Sequence, residues 1–271
     1  MNGSRSVSMV GLLLIFYLFS FEASAESSLP TLQIDRLSPL AVSVASQGES
    51  YSLSLPNDFM NKVEGVYDDV YIEDLDGGGV GELVFRLGGG SSNACSKVLY
   101  YKAADRTLAE LDFGDESLCN FKVRRNYIVS SYREGAVWKE NVYRIQGGEV
   151  RNYFFVSCVG CGEVKRRMYH SDRSFTRLLV SDDVDFERRV PLVAKVSSLR
   201  ANVFTSPEIS KRTNKYLIQG DEITLLDFFK DDEGWIEFRF SGGVTTEGWL
   251  RCSDLEYCYR STATAEEPSN V

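Results

Sequence analysis

Between residues 67 and 180 the chain alternates short apolar runs with glycine-rich or charged breaks. Runs at 70–72, 82–86, 98–101, 127–131, 142–145, 150–156, 164–169 and 175–180 are rich in β-branched and aromatic residues, the composition of strands. Gln146-Gly147-Gly148-Glu149 separates two of these runs with the glycine pair of a tight hairpin. His170-Ser171-Asp172-Arg173 separates two more. No stretch sustains the helical period of a long amphipathic segment. The pattern predicts an all-β fold, an antiparallel meander closing into a sandwich or a propeller-like sheet. Residues 26–66 are less sharply patterned and are expected to add a strand or two.

The pattern changes after Val180. Residues 181–191, SDDVDFERRVP, are charged, end in proline and read as a linker. They divide a domain over 26–185 from a second over 191–258. In the second, Tyr216-Leu217-Ile218-Gln219-Gly220-Asp221-Glu222-Ile223-Thr224-Leu225-Leu226 sets two strands around a Gly-Asp turn. Gly234-Trp235-Ile236-Glu237-Phe238 and Gly248-Trp249-Leu250 then start two more. In this order and spacing, 191–258 resembles a bacterial SH3-type domain, which implies a small β-barrel. The segment from Asn202 to Pro207 departs from that family's pattern, so its ligand groove does not carry over there. Residues 259–271 are small and polar and are expected to be disordered.

Export decides how the cysteines are read. Arg5 precedes an almost continuously apolar run from Met9 to Phe21, and Ala23-Ser24-Ala25 is a small-x-small cleavage site. Residues 1–25 therefore read as a cleaved signal peptide. The run is shorter than the roughly 20 residues of a membrane span, and no later run approaches that length. The expectation is a periplasmic protein with no membrane span after cleavage. All six cysteines follow the signal. In an oxidising compartment an even count favours disulfides over metal thiolates. Nearness in the chain suggests Cys95–Cys119, Cys158–Cys161 and Cys252–Cys258.

Residues 71–85, YIEDLDGGGVGELVF, place Asp74, Asp76 and Glu82 at loop positions 1, 3 and 9, with glycines between. Calcium takes six to eight oxygens from just such turning loops. The stretch resembles the Asp-x-Asp-x-Asp-Gly calcium loops of propeller repeats, with Gly78 where a third acid is usual. Two readings stand: a structural Ca2+ held by these residues, or a tight acidic turn without metal.

Residues 157–171, SCVGCGEVKRRMYHS, hold a Cys-x-x-Cys and, at His170, the chain's single histidine. Zinc needs three or four ligands, and a redox pair needs the start of a helix. Strand-like flanks fit neither, which favours a disulfide stiffening the turn. Period-2 alternation puts Lys165, Arg167 and Tyr169 on one face, and Val164, Arg166 and Met168 on the other. The two basic residues lean Tyr169 towards solvent. Gly162 followed seven residues later by Tyr169, downstream of the acidic glycine loop in an exported β protein, resembles periplasmic immunity proteins related to inhibitors of invertebrate-type lysozyme. The resemblance covers about 50–180. It implies an inhibitory loop of Gly162, Lys165, Arg167 and Tyr169, with Tyr169 plugging the cleft of a peptidoglycan hydrolase and the paired cysteines preorganising it.

The remaining chemistry argues against an enzyme. His170, Ser171 and Asp172 are sequence neighbours and cannot form a relay. No nucleophile elbow, His-Glu-x-x-His helix or phosphate-cradling loop occurs. The net charge of −9 is spread, with 20 basic against 25 acidic residues in 26–190 and 9 against 11 in 191–260. Such a chain repels nucleic acid. The expected partner is a lysozyme-like hydrolase. The alternative is an envelope module that holds peptidoglycan or another protein through its SH3-like part.

Overall fold

The computed structural model describes residues 29–88, 92–114, 118–229 and 234–257, with the Glu163 side chain left out. The expected signal peptide, the tail and Cys258 lie outside the described residues.

Strands dominate, in four antiparallel sheets. The first is the meander β1 (Thr31–Leu37), β2 (Leu40–Ser46) and β3 (Glu49–Leu53). A short helix, α1 (Asn57–Val63), leads into the second sheet. This holds β4 (Tyr67–Glu73), β5 (Glu82–Leu87), β6 (Cys95–Lys102) and β7 (Thr107–Leu111), with β8 (Leu118–Cys119) paired to β6. The third sheet runs in chain order through β9 (Lys122–Arg124), β10 (Tyr127–Glu134), β11 (Val137–Gln146), β12 (Glu149–Val159), β13 (Glu163–Tyr169) and β14 (Phe175–Ser181). The fourth comprises β15 (Val193–Lys195), β16 (Arg200–Phe204), β17 (Arg212–Ile218), β18 (Glu222–Phe229), β19 (Trp235–Ser241) and β20 (Thr245–Arg251), in the order β15-β18-β19-β20-β16-β17.

The sheets stack, and strand alternation explains how. In β5 and β6, Leu83, Phe85 and Leu99 turn to the first sheet and pack on Val42, Val44 and the α1 residues Phe59 and Val63. Their neighbours Val84 and Val98 turn the other way, onto Leu118, Ile128 and Tyr143. The second sheet is thus covered on both faces, and β5 reads as a continuous apolar run rather than an alternating one. The third sheet meets the fourth at β14, where Leu179 enters a core with Val196, Leu225, Ile236 and Phe238.

Three features differ from the pattern. Residues 29–66 carry three strands and a helix, more than the strand or two expected. With one buried pair four apart, Phe59 and Val63, α1 is too short to show a period. The charged segment 181–191 is not a solvated linker. Phe186 is buried against Tyr127 and Phe154, Pro191 bridges to Val180, and Arg189 is buried. Trp235 starts β19, but Trp249 lies inside β20 opposite Phe204. A side chain at the preceding Gly248 would stand 2.8 Å from the Phe204 carbonyl, so the close approach of β16 requires glycine.

Two of the expected disulfides are present, Cys95–Cys119 and Cys158–Cys161. The third falls partly outside the described residues. Cys95–Cys119 ties β6 to β8 across a separation of 24 residues. Loop-closure entropy assigns such a link about 3 kcal/mol. Replacing both cysteines with alanine is expected to lower the urea midpoint accordingly, with the m-value raised because the freed denatured chain exposes more surface. A shift equivalent to under about 1 kcal/mol overturns this estimate.

Candidate functional site

The acidic loop joins β4 to β5 and is folded by its own carboxylates. Asp74 accepts from the Gly77 and Gly79 amides at 2.8 and 2.9 Å, Asp76 from Gly78 at 2.7 Å, and Glu82 from Leu75 at 2.8 Å. Gly77 and Gly79 take the positive φ values the turn demands. A side chain at position 78 would meet an Asp76 oxygen at 2.6 Å, which accounts for glycine where the calcium-loop pattern has an acid. Ligand oxygens of Asp74, Asp76 and Glu82 all lie within 4.8 Å of one another. Glu82 is buried, at 5% exposure. Burial pushes its carboxyl up to about 7, against the Leu75 hydrogen bond, and the charges of Asp76 and Asp74 push the same way. Among the described residues no lysine or arginine pairs with these three. A buried carboxylate facing two others with no counter-cation fits a hard cation such as Ca2+. Asp74, Asp76 and Glu82 would hold it, and its role there would be to neutralise and brace the β4–β5 turn.

The third sheet carries the other candidate residues. Residues 163–169 form strand β13, paired on both sides, not a protruding loop. Gly162 and Tyr169 stand at its opposite ends. At roughly 3.3 Å per residue they are about 20 Å apart. The Cys158–Cys161 link closes the β12–β13 turn, where the Gly160 and Gly162 amides donate to Asp182 at 3.0 Å each. It stiffens the end of the strand away from Tyr169. The idea of a disulfide preorganising Tyr169 is therefore corrected: the residues are seven apart in a rigid strand, which carries them to opposite turns. His170 belongs to the Tyr169 end, where its Nε2 meets the Thr176 hydroxyl at 2.7 Å.

Lys165, Arg167 and Tyr169 share one face of the sheet. Lys165 is engaged by the fourth sheet: its Nζ lies 2.6 Å from Asp227 and 3.9 Å from the Phe228 ring centre. Arg177 adds ion pairs to Asp227 and Glu237 at 3.4 and 3.2 Å. Burial raises the Glu237 carboxyl above its ordinary value against the pull of Arg177. Lys165 thus fastens two sheets together rather than facing a partner. Arg167 is exposed, and its guanidinium stacks between Phe155 and Phe175 at 5.6 and 5.4 Å. Tyr169 is half-buried, edge-on to Phe175 at 6.3 Å. Its ring walls a cavity of about 340 Å3 together with Asn141, Asn152, Phe155 and Arg167.

The opposite face is closed. Arg166 stacks on Phe154 and donates to the Arg189 carbonyl at 2.7 Å. Burial, then the neighbouring Arg189, lowers its pKa. Arg189 in turn pairs with Glu140 at 2.7 Å. Phe155, Phe175 and the two asparagines escaped sequence reasoning. Phe175 was readable as the first residue of the run after the His170 turn. The asparagines carried no signal, because a polar residue inside a strand normally marks the solvent face.

No family model and no curated protein matches the chain. A solved structure of a Xanthomonas type IV secretion system related protein is similar to it at 13% identity and a TM-score of 0.30, covering 56% of this chain and 78% of that one. A likeness of that depth carries no functional argument.

Proposed function

We propose that this is a non-enzymatic inhibitor of a lysozyme-like peptidoglycan hydrolase, an exported immunity-type protein acting in the periplasm. The observation that supports the reading is the exposed aromatic and cationic end of β13 and β14. Tyr169, Phe175 and Arg167 lie together on rigid strands, with Arg167 held between rings. Tyrosine and arginine on a preorganised surface are the residues that dominate binding hot spots. A glycosidase cleft presents paired carboxylates, which suit an arginine fork and a phenolic hydroxyl. The contact is a patch at a strand end, with Tyr169 at its centre. We also propose Ca2+ in the acidic loop, as a brace for the sheet beneath.

The test is lysis by a panel of lysozyme-like hydrolases with and without the mature protein. Stoichiometric inhibition is expected, and Tyr169→Ala is expected to weaken it at least 30-fold, the size of a hot spot worth about 2 kcal/mol. Inhibition that survives the substitution moves the site elsewhere, and no inhibition across the panel sinks the reading.

A second reading has its own observation. On the fourth sheet, Lys215, Tyr216, Phe240, Val244 and Thr246 line a groove of about 370 Å3 in which Tyr216 is 49% and Val244 78% exposed. This groove supports an envelope-binding role. Sedimentation with purified peptidoglycan, abolished by Tyr216→Ala and indifferent to Tyr169→Ala, would favour it.

A further inference from the structure

We infer that the Cys158–Cys161 disulfide is a reversible thiol-exchange site, opened by a dithiol protein and closed again on the intact fold. It lies at the end of β13 away from Tyr169 and does not rest on hydrolase inhibition.

Access separates this pair from Cys95–Cys119. Exchange requires a thiolate to reach a disulfide sulfur. Cys161 is exposed, and the half-buried Cys158 lines an open cavity of about 690 Å3 with Val137, Lys139, Lys165, Phe228 and Phe229. Cys119 is 6% exposed and sits between sheets. Glu134 and Asp227 pair with the two lysines of the cavity wall. With those cations neutralised, Val137, Phe228 and the 48% exposed Phe229 suit the apolar flank of a dithiol protein better than a small anionic thiol.

The turn also stands without the bond. The Cys161 amide donates to the Cys158 carbonyl at 3.1 Å, and the Gly160 and Gly162 amides donate to Asp182 at 3.0 Å each. The link spans a sequence separation of 3 against 24 for the other pair, so it constrains the unfolded chain least. Cys158 holds φ at 65°, a cost for a residue other than glycine that weighs against the closed form. Asp182 holds the two thiols together and weighs the other way. Opposed tendencies of this kind are what a reversible couple requires. The pair is a substrate of exchange and not its catalyst, because it lies in a turn between strands, without the helix start that activates a thiol.

The exchange balances with a dithiol as reductant. A thiolate of the partner attacks Sγ of the exposed Cys161, and the electron pair of the broken S–S bond leaves on Cys158. The partner's second thiolate then attacks its own sulfur in the mixed disulfide and releases Cys161. Both cysteines end as thiols carrying the two protons the partner gives up, and the partner leaves oxidised.

The test exposes the mature chain to dithiothreitol or to thioredoxin with its reductase, quenches with N-ethylmaleimide and locates the adducts by peptide mass spectrometry. Cys158 and Cys161 are expected to be alkylated together, at least about tenfold faster than Cys95 and Cys119, with the far-ultraviolet circular dichroism unchanged. Oxidised glutathione is expected to restore the same pair. Phe229→Ala is expected to slow thioredoxin and to leave dithiothreitol unaffected. Asp182→Ala is expected to slow closure severalfold. Opening of Cys95–Cys119 at an equal rate, unfolding on reduction, or closure indifferent to Asp182→Ala overturns the inference. Thioredoxin no faster than dithiothreitol overturns it as well.

Discussion

Glu140→Ala is expected to destabilise the protein by about 3–5 kcal/mol, the cost of leaving a buried charge unpaired. Arg189 has no exposed side-chain surface, and Glu140 at 2.7 Å is its carboxylate partner. Its Nε donates to the Asp183 carbonyl at 2.7 Å, while Nη2 has no hydrogen-bond partner. Arg166 adds a second positive charge nearby. Deleting Glu140 leaves the buried Arg189 guanidinium without an acid, beside the half-buried Arg166. The measurement is urea unfolding of the variant beside the double substitution Glu140→Leu, Arg189→Met. The double variant is expected to recover most of the loss, because exchanging a whole buried pair for apolar side chains is often neutral. A single variant within about 1 kcal/mol of the parent would show that water reaches the pair.

The second large effect joins calcium to pH. The folded state holds the Glu82 carboxyl at about 7, above its ordinary value of 4.5. A raised folded pKa means the folded state binds the proton more tightly than the unfolded chain. In chelator, the resulting stability is fully present below about pH 4.5 and is lost as pH rises to about 7 and beyond. Calcium needs the carboxylate, so its apparent affinity is expected to fall about tenfold per pH unit below that pKa. At pH 8, calcium at 100 times its dissociation constant adds about 2.7 kcal/mol. Thermal melts at pH 5 and 8, with calcium and with chelator, read both effects. Glu82→Gln is expected to flatten the chelator series and to blunt the calcium response. Identical melts with calcium and with chelator at pH 8 remove the metal from the loop.

The two predictions concern features of unequal legibility. Asp74, Asp76 and Glu82 sit within nine residues, and a short loop cannot separate them, so their meeting was readable from spacing. The burial of Glu82, which makes the cluster consequential, was not, because it comes from Leu75 and the sheets packed around β5. Glu140 and Arg189 are 49 residues apart. Nothing local in a charged stretch ending in proline distinguishes a solvated linker from a strap pinned by one phenylalanine and one arginine.

By itself the sequence determined the all-β class, eight of the strands between Val70 and Val180 but not β7, β8 or β9, the glycine hairpin at Gly147-Gly148, and two cysteine pairs near in the chain. These are local matters, set by side-chain alternation, by the φ values glycine allows, and by short loops. Tertiary structure alone decided which alternating face met water. Lys165 and Arg167 are two residues apart on the same face of β13, and alternation treats them alike. One is fastened to Asp227 of another sheet, while the other stands open between two rings. That difference arises where the fourth sheet ends its contact with β14, and long-range packing, not strand periodicity, sets that boundary.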